Sequence, residues 1–308
     1  MDPSRRKFIS GLAGLLVLAI CAIAPPAHAA SDKASETFFA RSSDGTVLAV
    51  AAQGDPAAPE ILFIHGLRQS RLSWEKQLAD PQLKGFRIVS FDLRGHGDSD
   101  KPTAPSAYSS ADLWADDVAA VIDAAKLRRP VLVGWSLGGY VAGAYVRKYG
   151  GGAIAGVNLV DAVTKLSPDL LTKESVAFTA TTTSPDLAIR TAATADFLAA
   201  CFHQPPTKAE MQRMLVVNGM TARAVNEGFV QTKTTDLEPT FQSYTGPVLL
   251  TYGVHDRLVS LAMAERIKAI HPGARLSLFS NSGHSPFFEE PARYGKELAA
   301  FVRASNQR

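Results

Sequence analysis

The chain has 308 residues, 46% of them hydrophobic and 20% charged, and a formal net charge of +3. This length and apolar content are enough to bury one substantial core, which excludes a disordered protein. Residues 1–29 contribute a net charge of +2, so the remainder carries about +1. Such a near-neutral balance excludes nucleic acid as an expected partner.

The first element in chain order is a predicted export signal over residues 1–29. Arg5-Arg6 precede an apolar run at residues 11–24, and Ala27-His28-Ala29 is a cleavage site of the small-x-small type. Residues 4–9 resemble a twin-arginine signal, which implies export of the folded protein. The sequence therefore predicts a periplasmic or secreted protein.

Two alternatives to a cleaved signal stay open. One is that the apolar run remains as a membrane anchor, but it is shorter than the roughly 20 residues of a span and ends at Pro25-Pro26, so no stable span is expected. The other is lipidation of Cys21, which is less favoured because the preceding Ile20 is large. Cleavage after residue 29 leaves Cys201 as the one cysteine, so no intramolecular disulfide is predicted.

Strands and helices alternate in the rest of the sequence. This order is typical of a mostly parallel sheet with helices on both faces. The predicted strands are at 38–41, 46–52, 60–64, 86–91, 130–133, 157–161, 246–253 and 275–279, the first two forming a hairpin about Asp44-Gly45. The predicted helices are near 72–80 and at 110–126, 140–149 and 291–303, the second starting at a Ser109-Ser110-Ala111-Asp112 cap.

A candidate nucleophile lies between the fifth predicted strand and the helix that follows it. Gly134-Trp135-Ser136-Leu137-Gly138-Gly139 has the G-x-S-x-G pattern, whose glycines allow a sharp strand-to-helix turn. At such a turn the serine hydroxyl is exposed for attack, and the next backbone N–H points at the incoming carbonyl oxygen. Ser136 is therefore the predicted nucleophile.

The base and its orienting acid are predicted farther along the chain. Asp256 follows the strand at 246–253, and His284 lies in a Gly-His-Ser-Pro loop after the last strand. Ser136, Asp256 and His284 thus follow one another along the chain in the order serine, acid, histidine. His284 would accept the serine proton, and Asp256 would hold the ring tautomer. Asp161 also ends a strand and remains the alternative acid.

Five motifs in this order resemble the α/β-hydrolase superfamily, in its serine carboxylesterase and non-haem peroxidase-like branch. They are Ile61-Leu62-Phe63-Ile64-His65-Gly66, Phe91-Asp92-Leu93-Arg94-Gly95-His96-Gly97-Asp98-Ser99, the Ser136 turn, the Asp256 turn and the His284 loop. The resemblance implies the α/β-hydrolase fold, with a mostly parallel eight-stranded sheet, and an oxyanion hole formed by the backbone N–H groups of Leu67 and Leu137. It also implies a core formed by residues 30–161 and 246–308 and a helical cap at 162–245. In this setting His65 and His96 are expected to shape loops.

The predicted cap begins where the alternation stops. Short helices are expected there, with prolines of the segments 184–186 and 204–207 in the first turn of two of them. Its large apolar side chains either line the substrate pocket or form a small core of the cap, and for any single residue the core is favoured. The candidates are Phe178, Phe197, Phe202, Met211, Met214, Leu215, Met220 and Phe229.

The sequence carries no motif for a metal or a nucleotide, so no cofactor is predicted. Serine at position 136 excludes the dehalogenase and epoxide hydrolase branches, which use aspartate there. The predicted function is hydrolysis of small carboxylic esters with an apolar portion, through an acyl-enzyme on Ser136. A lactonase, a carbon–carbon bond hydrolase, an amidase, a perhydrolase and a catalytically silent binding protein are the alternatives. Peroxidase-like relatives usually carry a proline near the oxyanion turn, and Leu67-Arg68-Gln69 lacks one.

Overall fold

The computed structural model describes residues 35–165, 167, 169–231 and 235–307. The predicted export signal lies outside these residues. Eight strands form one sheet in this part of the chain. They are β1 (Glu36–Arg41), β2 (Val47–Gln53), β3 (Glu60–Ile64), β4 (Arg87–Phe91), β5 (Val131–Trp135), β6 (Gly156–Val160), β7 (Val248–Gly253) and β8 (Arg275–Phe279).

The sheet has the order β1-β2-β4-β3-β5-β6-β7-β8. β2 pairs antiparallel with both β1 and β4, and every pair from β4 to β8 is parallel. The carboxyl ends of the six parallel strands therefore lie at one edge of the sheet. The predicted mostly parallel eight-stranded sheet is confirmed.

Helices cover both faces of the sheet, which also confirms the prediction. Because side chains alternate along a strand, Leu62 and Ile64 belong to one core, whereas Ile61 and Phe63 belong to the other. The helices outside the segment between β6 and β7 are α1 (Glu75–Leu78), α2 (Ala111–Ala124), α3 (Leu137–Tyr149), α9 (Ala262–Ile270), α10 (Pro286–Glu289) and α11 (Pro291–Ser305). The first core includes side chains of α2, α3 and α9, and the second includes those of α11.

The described residues of the segment between β6 and β7, hereafter the helical insertion, form five α-helices. They are α4 (Lys173–Thr181), α5 (Leu187–Ala200), α6 (Lys208–Gly219), α7 (Arg223–Gln231) and α8 (Glu238–Ser243). The prediction that proline occupies the first turn of two helices is wrong for α5 and α6. Asp186 and Thr207 are their N-caps, so the prolines lie just before each helix, and the hydrogen-bonding side chains of the caps set the start.

One further start signal differs from its prediction. Ser110 does occupy the N-cap of α2, but its side chain makes no capping hydrogen bond. Burial of Trp114 and Val118 against the sheet anchors this helix instead. Among the described residues, no helix has the length and apolar character needed to cross a membrane.

Candidate active site

Ser136 occupies a strained turn at the carboxyl end of the central strand β5. Its backbone has φ 54° and ψ −117°, a conformation that side-chain-bearing residues rarely adopt. The turn is tight enough to require glycine on both sides. A Cβ on Gly134 would lie 2.4 Å from the Gly138 carbonyl oxygen, and one on Gly138 would lie 2.2 Å from the Ile64 oxygen. The sharp turn expected from the sequence is therefore present.

His284 and Asp256 form a hydrogen-bonded pair at the same edge of the sheet. His284 Nδ1 lies 2.7 Å from Asp256 Oδ2. The other carboxylate oxygen, Oδ1, accepts the backbone N–H groups of Leu258 and Val259 at 2.7 and 3.0 Å. Both side chains of the pair are almost completely buried. With three hydrogen-bond partners, the Asp256 carboxyl group is fixed in position and can orient the imidazole.

Asp161, the alternative acid, joins this pair without bonding to the histidine. Its Oδ1 accepts the backbone N–H of Gly253 at 2.9 Å, and no residue that the structure describes hydrogen-bonds its Oδ2. Complete burial, and then the nearby Asp256 carboxylate, raise the pKa of Asp161 well above its usual range. Two buried carboxylates so close together cannot both ionise readily, so Asp161 is the one that holds a proton. The structure thus gives the histidine contact to Asp256.

The same three residues are the group of described side chains near enough to share a cation. Their ligand atoms all lie within 4.8 Å of one another. Two of the three, however, bond to each other, and the third is the carboxyl that burial keeps protonated. A proton network accounts for this cluster better than a metal site, because a cation would need deprotonated ligands.

The nucleophile turn and the histidine loop are connected through the residue before Ser136. Trp135 donates its indole Nε1–H to the backbone carbonyl of His284 at 2.7 Å, and the two rings lie 5.8 Å apart. In the described part of the chain no hydrogen bond joins His284 Nε2 to the Ser136 hydroxyl. In enzymes without substrate this bond is often long and shortens when substrate binds.

The turn at residues 65–68 lies against the nucleophile. A Cβ on Gly66 would lie 3.3 Å from Ser136 Cβ. Within the described residues, the backbone N–H groups of Leu67 and Leu137 donate no hydrogen bond to the protein. Two free donors that flank a nucleophile can bind the negative oxygen of a tetrahedral intermediate.

Two buried histidines hold that turn in place. His65 hydrogen-bonds the Gly66 carbonyl through Nδ1 at 2.8 Å and accepts the Leu93 N–H through Nε2 at 2.9 Å. His96 accepts the Arg68 N–H through Nε2 at 3.1 Å. Burial lowers the pKa of His65 to about 4 and that of His96 to about 3, so both rings are neutral at pH 7. They shape loops, as the sequence analysis expected.

A cavity of about 60 Å³ opens at Ser136. Leu67 and Leu137 line it together with rings from the helical insertion: Phe178, Phe197 and Phe229. A second cavity, on the far side of Trp135, is lined by Phe202 and Met214. Of the other apolar candidates in the insertion, Met211 and Leu215 pack against the second core and Met220 is exposed. The sequence could not distinguish these roles, because they depend on how the helices pack.

The Ser136 cavity has polar lining residues that were not among the predicted site residues. Arg68 and Asn226 both line it, and the Arg68 Nε–H donates to the Asn226 Oδ1 at 2.7 Å. Arg68 follows the predicted oxyanion residue directly and has a positive φ of 61°. Its position in the oxyanion turn was the one available signal, since Asn226 belongs to an amphipathic helix far along the chain.

Comparison with known proteins agrees with this geometry. A family model described as the alpha/beta hydrolase fold matches residues 59–291. The structure of a Burkholderia cenocepacia protein assigned as an aryl esterase is similar, with 38% identity and a TM-score of 0.85 over 89% of this chain and 100% of that one. A bifunctional esterase/perhydrolase of Acinetobacter calcoaceticus is 29% identical over 86% of this chain and 99% of its own length. A non-haem haloperoxidase of Rhodococcus erythropolis is 28% identical over 86% of this chain and 99% of its own length.

The chain belongs to the α/β-hydrolase family. Its relatives put it in the esterase and non-haem peroxidase branch of that family, as the sequence motifs predicted.

Proposed function

We propose that this protein is a serine hydrolase that cleaves short carboxylic esters through an acyl-enzyme on Ser136. In this proposal His284 is the general base, Asp256 orients it, and the N–H groups of Leu67 and Leu137 form the oxyanion hole. The observation that carries the proposal is the buried hydrogen bond between His284 and Asp256, at the edge of the sheet where Ser136 adopts its strained turn.

The proposed reaction proceeds in two steps. The Ser136 Oγ attacks the ester carbonyl carbon while His284 Nε2 takes the hydroxyl proton, and the carbonyl oxygen becomes negative between the two free amides. His284 then returns the proton to the departing alkoxide, which leaves as the alcohol. A water molecule, activated by the same ring, attacks the acyl-enzyme and releases the carboxylic acid. Each oxyanion donor contributes roughly 3–4 kcal/mol to transition-state stabilisation.

Asp256 supports this cycle through charge as well as orientation. When His284 holds the serine proton it is an imidazolium, and the adjacent carboxylate stabilises that charge. Burial raises the pKa of the neighbouring Asp161 well above its usual range, which disfavours a second negative charge beside the pair.

Cavity size supports a short acyl group. A cavity of about 60 Å³ holds about four or five water molecules, or a similar number of non-hydrogen ligand atoms. Its phenylalanine rings suit the hydrocarbon part of such a group. The names of the similar proteins, an aryl esterase and a bifunctional esterase/perhydrolase, support esters as the substrate class.

Export is part of the same proposal. It rests on the arginine pair, the apolar run and the small-x-small site of residues 1–29. A fusion of these residues to a reporter, with and without substitution of Arg5-Arg6 by lysine, tests it. We expect the reporter outside the cytoplasm for the natural signal only, and equal export of both fusions would contradict the twin-arginine assignment.

The activity is tested with p-nitrophenyl esters from acetate to decanoate. The chain from residue 30 onwards is compared with Ser136→Ala and with Ser106→Ala, an exposed serine that serves as the matched control. We expect turnover to be highest for short acyl groups, to be lost in the first variant and to be retained in the second. A fluorophosphonate probe should label the natural chain and the control, with the added mass on Ser136. No turnover of any ester by folded protein would favour a lactonase, a carbon–carbon bond hydrolase or a binding protein.

A further inference from the structure

The Ser136 cavity contains a buried positive charge. Arg68 is 4% exposed and lines the cavity together with Ser136. Its Nη1 is buried and has no hydrogen-bond partner among the described residues. Among the described residues, the side-chain hydrogen bond of this guanidinium is the one from Nε to Asn226 Oδ1, so Nη1 is buried beside the cavity with its donors unused.

The environment of Arg68 does not neutralise it. Burial lowers the pKa of Arg68 to about 10, so the guanidinium is still charged at neutral pH. Within the described residues it forms no ion pair, and the nearby Cys201 is neutral because burial raises the pKa of the thiol. A charge removed from water without a partner costs several kcal/mol.

A second buried arginine shows how the same chain handles such a charge elsewhere. Arg94 is completely buried, and its guanidinium contacts the carboxylates of Asp117 and Asp44 at 2.7 and 2.8 Å. Arg94 therefore lies in a closed structural ion network. Arg68 is similarly buried but has no carboxylate partner among the described residues, and it lines the same cavity as Ser136.

Packing fixes the position of the Arg68 side chain. The guanidinium stacks over the Phe197 ring at 4.7 Å from the centroid, and Asn226 holds Nε at 2.7 Å. An ordered guanidinium presents a planar set of donors, which matches the two oxygens of a carboxylate. The hydroxyls of Thr179 and Thr182, which also line the cavity, donate to helix carbonyls.

We propose that Arg68 binds a carboxylate of the substrate, so that the preferred substrates are short esters that carry a free carboxylate on the group entering this cavity. The free carboxylate can belong to either part of the ester. It lies on the acid side in a half-ester of a dicarboxylic acid and on the alcohol side in an ester of a hydroxy acid. The proposal rests on the serine hydrolase function and names its substrate class. Arg68 is then a substrate-binding residue that determines specificity.

Matched neutral and anionic esters test this assignment. Acid release in a pH-stat gives kcat/KM for monomethyl succinate, for acetoxyacetate and for the neutral methyl butyrate. The proteins are the natural chain, Arg68→Met, Arg68→Lys and Arg223→Met. The last is the matched control, because it removes the same charge from an exposed residue of α7, the helix that carries Asn226.

We expect the natural chain to prefer one of the two anionic esters over methyl butyrate. The ratio of anionic to neutral kcat/KM should fall about 10- to 100-fold in Arg68→Met, the range for a lost hydrogen bond to a charged group. Arg68→Lys should recover part of the lost preference for the anionic ester, and Arg223→Met should keep the ratio of the natural chain. Which anionic ester is preferred tells whether the acid or the alcohol side enters the cavity.

Inhibition of the natural chain gives a test that needs no variant. Succinate should compete with methyl butyrate, whereas succinamide at the same concentration should not. Equal ratios in the natural chain and Arg68→Met, or equal effects of succinate and succinamide, would overturn the carboxylate site while ester hydrolysis still stands. If none of the three esters is cleaved and Ser136→Ala changes nothing, the serine hydrolase proposal itself fails.

Discussion

Trp135 donates its indole N–H to the backbone carbonyl of His284 over 2.7 Å. The residue before the proposed nucleophile therefore holds the loop of the proposed base. The indole also packs against Phe287, just beyond that loop, with ring centroids 4.9 Å apart. We infer that Trp135 helps to position the two proposed catalytic side chains.

Trp135→Phe should lower kcat about tenfold with little change in KM. Phenylalanine keeps the ring but removes the donor, so the buried His284 carbonyl loses its partner, at a cost of about 1–3 kcal/mol in stability. Initial rates on a short p-nitrophenyl ester and a urea unfolding curve measure both effects. Trp114→Phe is the control, because this buried indole packs on Tyr140 in the other core. An unchanged kcat in Trp135→Phe would show that the loop holds its position without the bond.

The two carboxyl groups near His284 should differ in their effect on catalysis. Asp256→Asn should reduce kcat by about 10⁴-fold, because an amide leaves the ring in the wrong tautomer. Asp161→Asn should retain most of the activity, since burial raises the pKa of this carboxyl well above its usual range and the group does not bond to the ring. A kcat loss in Asp161→Asn equal to that in Asp256→Asn would mean that the pair shares the role.

The raised pKa of Asp161 also predicts a pH dependence of stability. An unfolded aspartate ionises near pH 4, whereas the folded Asp161 keeps its proton to higher pH. Between those two pKa values the folded state binds more protons than the unfolded state. The contribution of Asp161 to the free energy of unfolding is therefore highest below about pH 4 and falls as pH rises toward the folded pKa. Each unit of elevation corresponds to about 1.4 kcal/mol.

Asp161→Asn removes this titration and should flatten the dependence. Urea unfolding at pH 5 and pH 8 gives the free energy of unfolding for both proteins. We expect the natural chain to lose more stability between the two pH values than the variant does. Parallel losses would show that Asp161 ionises in the folded protein as it does in the unfolded chain.

The strained backbone at Ser136 is expected to lower the stability of the folded protein. Ser136→Ala removes the hydroxyl but keeps the Cβ at a φ of 54°, whereas Ser136→Gly removes both. Both variants should be inactive, and the glycine variant should be more stable than the alanine variant by about 1 kcal/mol. Thermal unfolding of the pair measures the difference. A less stable glycine variant would mean that the turn is held without significant strain.

Local chemistry made most of the fold and part of the site predictable from sequence. The Ser136 turn follows from its glycines, and the parallel strands follow from short apolar runs separated by helices. The sequence indicates that Asp161 and Asp256 each follow a strand. It does not indicate that these strands, β6 and β7, pair and so bring the two acids together. Which acid bonds to His284 depends on distances that the sequence does not contain.

Features of the helical insertion were less predictable for a physical reason. The place of Arg68 in the cavity depends on Phe197 and Asn226, which lie far along the chain and arrive through tertiary packing. The prolines predicted helix starts that differ from those of α5 and α6, because the capping side chains of Asp186 and Thr207 fix where these helices begin. Propensity identifies a helix more readily than the residue at which it begins.

The order of the site residues along the chain bears on when the enzyme becomes active during its synthesis. Ser136 and the turn at residues 65–68 are made first, the five helices of the insertion follow, and Asp256 and His284 come last. Under the proposed mechanism, a ribosome-bound chain that ends before β8 has the proposed nucleophile and lacks the proposed base. We therefore expect hydrolysis to begin only after His284 has been added and the last strand has paired with β7. On this proposal, shorter fragments of the chain are inactive during elongation.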